Sequence, residues 1–201
     1  MNKKIIHYSI IAFIWLAVLY PVFERARYLH WAFDTSLLPN LFPIFGLIAA
    51  SLLWLHSISG VFEPWLRKHI NFDRFIHITA SIILWCMILH PLLLLISLNF
   101  NFNELFLGYT LLYLRIGIVA WLLLIIYDIT KPLKKYQFFA KNWNNILIIS
   151  NIGFLLTFIH ALYLGSDLQF EPLRAIWIFY GITATLGIIY TYAILPLLKK
   201  S

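Results

Sequence analysis

Six long apolar stretches, separated only by short polar segments, constrain the fold of this 201-residue chain more than any other feature. They cover residues 5–23, 41–61, 75–98, 105–127, 143–164 and 175–198. Each stretch has about the 20 residues that an α-helix needs to cross a hydrocarbon core of about 30 Å. Since lipid satisfies no backbone hydrogen bond, apolar segments of this length cross a bilayer as helices. The sequence therefore predicts an all-α integral membrane bundle of six transmembrane helices, forming a single domain over residues 1–201.

The composition limits where chemistry can take place. Hydrophobic residues make up 62% of the chain and charged residues 11%, against about 45–50% and 25% in a soluble domain. We therefore expect no nucleotide-binding or catalytic domain outside the membrane, and any chemistry should lie among the helices. The single cysteine, Cys86, excludes an intrachain disulfide and a C-x-x-C-H haem attachment.

The basic residues indicate topology rather than nucleic-acid binding, although the net charge is +7. Lysines and arginines lie at the ends of the apolar stretches, and most belong to the two termini and to segments 67–74 and 131–141. On the opposite side lie only Arg25, Arg27 and Arg174. The positive-inside rule then predicts that both termini are cytoplasmic.

Four histidines and one arginine fall within the predicted spans, apart from His7, which lies at the inner interface. Because an ionisable group in the hydrocarbon region is costly, its default interpretation is functional. These residues are His56 in the second span, His77 and His90 in the third, Arg115 in the fourth and His160 in the fifth.

His90 and His160 are predicted to lie at the same depth. Each lies fifteen residues beyond the cytoplasmic end of its span, counted from Phe75 and Asn145 respectively, or about 22 Å at 1.5 Å per residue. Two neutral imidazoles on parallel helices suit the two axial positions of one haem iron. The alternative is that each histidine forms a hydrogen bond between helices.

Two further residues fit a haem at this depth. Gly153 lies seven residues before His160, on nearly the same helix face, where it leaves room for a porphyrin or simply permits close helix packing. Arg115 lies about 15 Å from a helix start near Leu105, where it could pair with a haem propionate. A backbone carbonyl or Glu104 is the alternative partner of Arg115.

Three segments resemble the ferric reductase-like transmembrane domain, whose third helix typically carries two histidines and ends in a His-Pro step. The segments are DRFIHITASIILWCMILHPLLLL (73–95), LYLRIGIVAWLLLIIYDITK (112–131) and GFLLTFIHALYLGSDL (153–168). The family includes ferric reductases, NADPH oxidases and the haem-binding subunit of a bacterial methionine sulfoxide reductase system. The resemblance implies a haem b-binding membrane subunit of a bacterial inner or plasma membrane, which relays electrons as a subunit of an oxidoreductase rather than as a complete enzyme.

The resemblance also implies which residues bind haem. By position, an outer haem takes His90 and His160 as axial iron ligands. An inner haem would take His77 and a histidine thirteen residues before His160, but this chain has Leu147 there. His56 lies in the same leaflet as His77 and is a candidate substitute ligand or quinone-site residue. We therefore expect one haem b, with a second site dependent on His77 and His56.

The electron donor must come from outside the chain, because the sequence contains no G-x-G-x-x-G motif for a nucleotide. Membrane quinol and a cytosolic flavoprotein docked on the basic segment 131–141 are the candidates; either would bring its own quinone or flavin. Ferric iron, dioxygen or a periplasmic reductase is the candidate acceptor. The alternatives are a haem-free membrane protein, such as a transporter or assembly factor, and a degenerate family member without electron transfer.

Overall fold

The computed structural model describes residues 3–30 and 37–198. The described residues are 89% helical and contain no strand. Within them, six helices are long and apolar enough to cross a membrane. The six spans are α1 (Lys3–Tyr28), α2 (Leu37–Val61), α3 (Phe72–Ser97), α4 (Leu111–Thr130) continued to Lys135, α5 (Trp143–Leu164) and α6 (Leu173–Ile189) continued to Leu198. The predicted all-α, multi-pass membrane protein is confirmed.

Short helices form most of the connections between the spans. They are Glu63–Leu66, Phe102–Gly108, Gln137–Lys141 and the 3₁₀ turns Lys131–Lys135 and Ser166–Gln169, and α6 continues through a π turn, Tyr190–Ile194, into Leu195–Leu198. Two of the helix starts are capped by asparagine. The Asn71 side chain accepts a hydrogen bond from the backbone N–H of Arg74 at the start of α3, and Asn101 caps the helix Phe102–Gly108. These polar caps bond backbone donors that lack a partner in the first helical turn.

The fourth span begins later than the sequence predicts. Tyr109 and Thr110 have extended backbone conformations, so they separate the helix Phe102–Gly108 from α4. Hydropathy does not detect this break because the residues on both sides are apolar. Arg115 therefore lies one turn into α4, about 6 Å from its start, and the predicted 15 Å from a start near Leu105 is wrong.

Contacts divide the chain into two compact units, residues 1–100 with 178–201 and residues 101–177. In the first unit α2 packs along α3, and α1 packs on α2. Trp54 of α2 stacks on Tyr180 with ring centroids 4.0 Å apart and donates a hydrogen bond to the Thr183 hydroxyl at 2.8 Å. The Tyr180 hydroxyl donates to the Ala17 carbonyl at 2.8 Å. Polar contacts thus join α1, α2 and α6 within this unit.

In the second unit α4 packs along α5, and Gly153 lies at the contact. A Cβ atom at Gly153 would lie 2.9 Å from the Leu123 Cβ, 3.0 Å from the Ala120 carbonyl oxygen and 3.1 Å from the Leu124 nitrogen. The missing side chain therefore lets the two helix backbones approach each other closely. This placement explains Gly153 by helix packing and gives no support to a haem-packing role.

We expect Gly153→Ala to destabilise the protein by about 1–3 kcal/mol, as overpacking typically does. Thermal unfolding in detergent measures the effect. Gly60→Ala is the matched control, because no atom lies within 4 Å of its added Cβ. Equal unfolding temperatures for the two variants would contradict this account of the α4–α5 contact.

Candidate functional site

His90 is held against α2 within the first unit. Its Nδ1 donates a hydrogen bond to the backbone carbonyl of Phe42 at 2.7 Å, and the two rings lie 5.4 Å apart. Gly46 follows Phe42 by one helical turn. A Cβ atom at Gly46 would lie 2.9 Å from Nδ1 and 3.0 Å from Cε1 of His90. The imidazole therefore occupies space that a side chain at position 46 would need.

His160 has the same surroundings in the second unit. Its Nδ1 donates to the backbone carbonyl of Tyr113 on α4 at 2.9 Å, and Gly117 follows Tyr113 by one turn. A Cβ atom at Gly117 would lie 2.5 Å from Cε1 of His160 and closer still to Nδ1. We call this combination of a carbonyl, a glycine one turn later and a histidine on the neighbouring helix a carbonyl–glycine seat.

The hydrogen bonds define the tautomer of both histidines. A carbonyl oxygen only accepts, so Nδ1 must carry the proton and the lone pair of the neutral ring lies on Nε2. Metal-binding histidines commonly have this arrangement, with the second ring nitrogen bonded to a carbonyl. The bond alone is not distinctive, since His7 and His69 also bond backbone carbonyls through Nδ1. The glycine against the ring distinguishes His90 and His160.

His56 has a different partner. Its Nε2 lies 2.6 Å from the Thr79 hydroxyl oxygen, which also lies 2.7 Å from the Phe75 carbonyl oxygen. Nε2 of His56 is therefore engaged in a hydrogen bond between α2 and α3. This geometry explains His56 as a structural residue.

His77 does not face His56. It precedes Thr79 by two residues, so it lies about 200° around α3 from the side that contacts His56, and it is exposed. The structure thus does not bring together the two histidines predicted for a second haem, and their placement gives that site no support.

Arg115 lies on the far side of α4 from His160. It is two residues from both Tyr113 and Gly117, which face that histidine, and two residues correspond to about 200° around a helix. Arg115 is exposed. The carboxylate of Glu104, its alternative partner, accepts a hydrogen bond from Asn101. The placement of Arg115 gives no support to a propionate role at a haem on His160.

Comparisons with protein families, curated proteins and solved structures find no match to this chain. The resemblance to the ferric reductase-like transmembrane domain therefore stays a prediction. Among residues 3–30 and 37–198, no cluster of three or more His, Cys, Asp or Glu side chains could hold a metal ion. Haem makes a smaller demand, because its macrocycle leaves only two axial positions for the protein.

Gly46 and Gly117 are not among the residues predicted from the sequence, although the chain carries a signal for both. Each follows an aromatic residue by four positions, in FPIFG (42–46) and YLRIG (113–117). The carbonyl and histidine of each seat are 48 and 47 positions apart. A search for this spacing, rather than for side-chain ligands alone, would have found both glycines.

The His56–Thr79 contact can be tested by Thr79→Val, which removes the hydroxyl and keeps the shape. We expect a loss of about 0.6 kcal/mol, the average for hydrogen bonds between membrane helices, and of at most about 1.7 kcal/mol, seen as a lower unfolding temperature. Ser81→Ala on the same helix is the control, since the Ser81 hydroxyl bonds only a carbonyl of its own helix. A variant Thr79→Val as stable as Ser81→Ala would show that this contact contributes nothing.

Proposed function

We propose that this chain is a haem b-binding membrane subunit that relays electrons across the membrane, with His90 and His160 as axial iron ligands. The observation that carries the proposal is the Nδ1–carbonyl hydrogen bond of each imidazole, which makes Nε2 the nitrogen suited to bind iron. A haem held by both histidines would have no open coordination position, so the chemistry it would supply is electron transfer rather than substrate binding.

The protein would contribute ligand orientation. The carbonyls of Phe42 and Tyr113 accept hydrogen bonds from Nδ1 and so fix the orientation of the two rings. Because Nε2 of His56 is bonded to the Thr79 hydroxyl, and His77 faces away from it, we propose one haem per chain. A second haem would require other partners for His77.

The proposed electron donor is a quinol or a cytosolic flavoprotein that docks on residues 131–141. This segment carries Lys131, Lys134, Lys135 and Lys141 together with Phe138, which is 70% exposed. Positive charge around an exposed aromatic side chain suits an acidic protein partner. At the other face the acceptor would be ferric iron, dioxygen or a periplasmic reductase, in a bacterial inner or plasma membrane.

A haem-free membrane protein is the second candidate, and one observation favours it. The bonds from His90 to Phe42 and from His160 to Tyr113 join neighbouring helices, so they also stabilise helix packing without a cofactor. In a transporter or assembly factor, these histidines would need to form only such hydrogen bonds between helices. Haem content separates the two candidates.

We expect the protein, expressed and purified with haem available, to show a reduced-minus-oxidised spectrum with a sharp b-type band and one haem per chain. His90→Ala or His160→Ala should remove most of the band, because the iron loses an axial ligand. Absorption spectroscopy and haem quantification make the measurement. His77→Ala is the matched control, because His77 lies on the same helix as His90 but is exposed, and it should keep the wild-type spectrum.

A folded wild-type protein without haem would overturn the proposal in favour of the haem-free candidate. Two haems per chain, with one lost in His77→Ala, would restore the inner site. Retention of the full spectrum in both His90→Ala and His160→Ala would assign the iron to other ligands.

The direction of electron transfer depends on both termini being cytoplasmic, as the distribution of basic residues predicts. The sole cysteine is Cys86, which is buried. In a Cys86→Ser background, a single cysteine introduced at an exposed position therefore reports on which side of the membrane that position lies. We expect a membrane-impermeant maleimide to label Asn103→Cys in intact cells, and Lys135→Cys only after permeabilisation. The reverse pattern would invert the proposed orientation.

A further inference from the structure

The structure contains two carbonyl–glycine seats, and we propose that Gly46 and Gly117 are positioning residues for the imidazoles of His90 and His160. Each glycine holds its histidine in the tautomer with the proton on Nδ1, and this role does not depend on haem. The resulting orientation of Nε2 sets the haem affinity, and this role rests on the proposed function.

Helix geometry explains why the glycine lies four residues after the carbonyl. In an α-helix the carbonyl of residue i points along the axis toward residue i+4. A side chain from a neighbouring helix that bonds this oxygen must then lie over residue i+4, where a Cβ atom would project. Phe42 and Gly46 meet this condition, as do Tyr113 and Gly117. Glycine is therefore the residue that lets the ring reach the carbonyl.

The distances predict different sensitivities of the two seats. A Cβ atom needs about 3.5 Å from a ring atom for an unstrained contact. At Gly46 the nearest ring atoms would lie 2.9 and 3.0 Å away, so a shift of about 0.5 Å relieves the overlap, but at Gly117 Cε1 would lie 2.5 Å away, requiring about 1 Å. A shift of about 1 Å would stretch the 2.9 Å bond from His160 to the Tyr113 carbonyl beyond hydrogen-bond range.

The two seats also repeat along the chain. The second follows the first by about 70 positions, with nearly the same spacing between carbonyl and histidine. The first seat lies between α2 and α3, which pack together in the first unit, and the second lies between α4 and α5, which pack together in the second unit. Two independent occurrences of the same three groups argue that the glycine belongs to the histidine environment rather than to general helix packing.

The first test uses the full-length protein without haem, labelled with ¹⁵N-histidine, and reads the protonation of each ring nitrogen by NMR. His90→Gln and His160→Gln assign the signals. In the wild type both rings should carry the proton on Nδ1. Gly117→Ala should shift His160 towards a mixture of tautomers, and Gly46→Ala should shift His90 less. Gly108→Ala and Gly60→Ala are the controls, since their added Cβ atoms meet nothing within 4 Å.

Gly153→Ala separates positioning from helix packing. It strains the same α4–α5 contact as Gly117→Ala, but its Cβ would meet Leu123 and the α4 backbone rather than the imidazole. We expect Gly153→Ala to lower the unfolding temperature and to keep the His160 proton on Nδ1. An equal tautomer shift in Gly153→Ala and Gly117→Ala would overturn the positioning role, because helix spacing alone would then control the ring.

The second test titrates hemin into the same proteins. Loss of a histidine's outer hydrogen-bond partner typically weakens metal binding about 10- to 100-fold, so we expect a loss of this size for Gly117→Ala, a smaller one for Gly46→Ala and none for the controls. If Gly117→Ala does not fold, Gly46→Ala still tests the inference through His90. Unchanged tautomers in both variants overturn it. Failure of the wild type to bind hemin overturns the proposed function but leaves the tautomer result decisive for the glycines.

Discussion

The hydrogen bond from an imidazole to a backbone carbonyl of the neighbouring helix is the interaction on which the histidine sites depend. In lipid no water is present to satisfy a ring nitrogen, so a buried histidine must find its partner on another helix. The carbonyl of Phe42 serves His90 in this way, and the carbonyl of Tyr113 serves His160. The same bond links helix packing to the protonation state of the ring, because the acceptor decides which nitrogen carries the proton.

The histidines in the apolar helices differ in the group that their ring nitrogens bond. A backbone carbonyl cannot donate, so it leaves the distal nitrogen of His90 and His160 with a lone pair. His56 instead bonds the Thr79 hydroxyl through Nε2 at 2.6 Å. His56, His90 and His160 therefore look alike in the sequence, yet of these three only His90 and His160 bond a backbone carbonyl through Nδ1.

The sequence predicts the fold well because span length and hydropathy reflect one dominant force, the exclusion of polar groups from lipid. It does not predict the start of α4, since Tyr109 and Thr110 interrupt an apolar region by conformation alone. It singles out Gly153, which lies on the helix face of His160, and does not indicate Gly117. A glycine that makes room for a histidine can equally lie on the opposing helix. Finding it requires knowing which helices pack together, and periodicity along one helix does not provide that information.

The small size of the glycine is what makes the two requirements of the site compatible. Close approach of the helices brings the ring within reach of the carbonyl, but it would also press a Cβ atom against the ring. A Cβ atom at Gly117 would lie 2.5 Å from Cε1 of His160, and one at Gly46 would lie 2.9 Å from Nδ1 of His90. Widening the helix pair would relieve the overlap at the cost of the hydrogen bond. Only a residue without a side chain keeps the short bond and the relaxed ring together, so the hydrogen bond that selects the tautomer of each histidine depends on a residue that forms no polar contact with it.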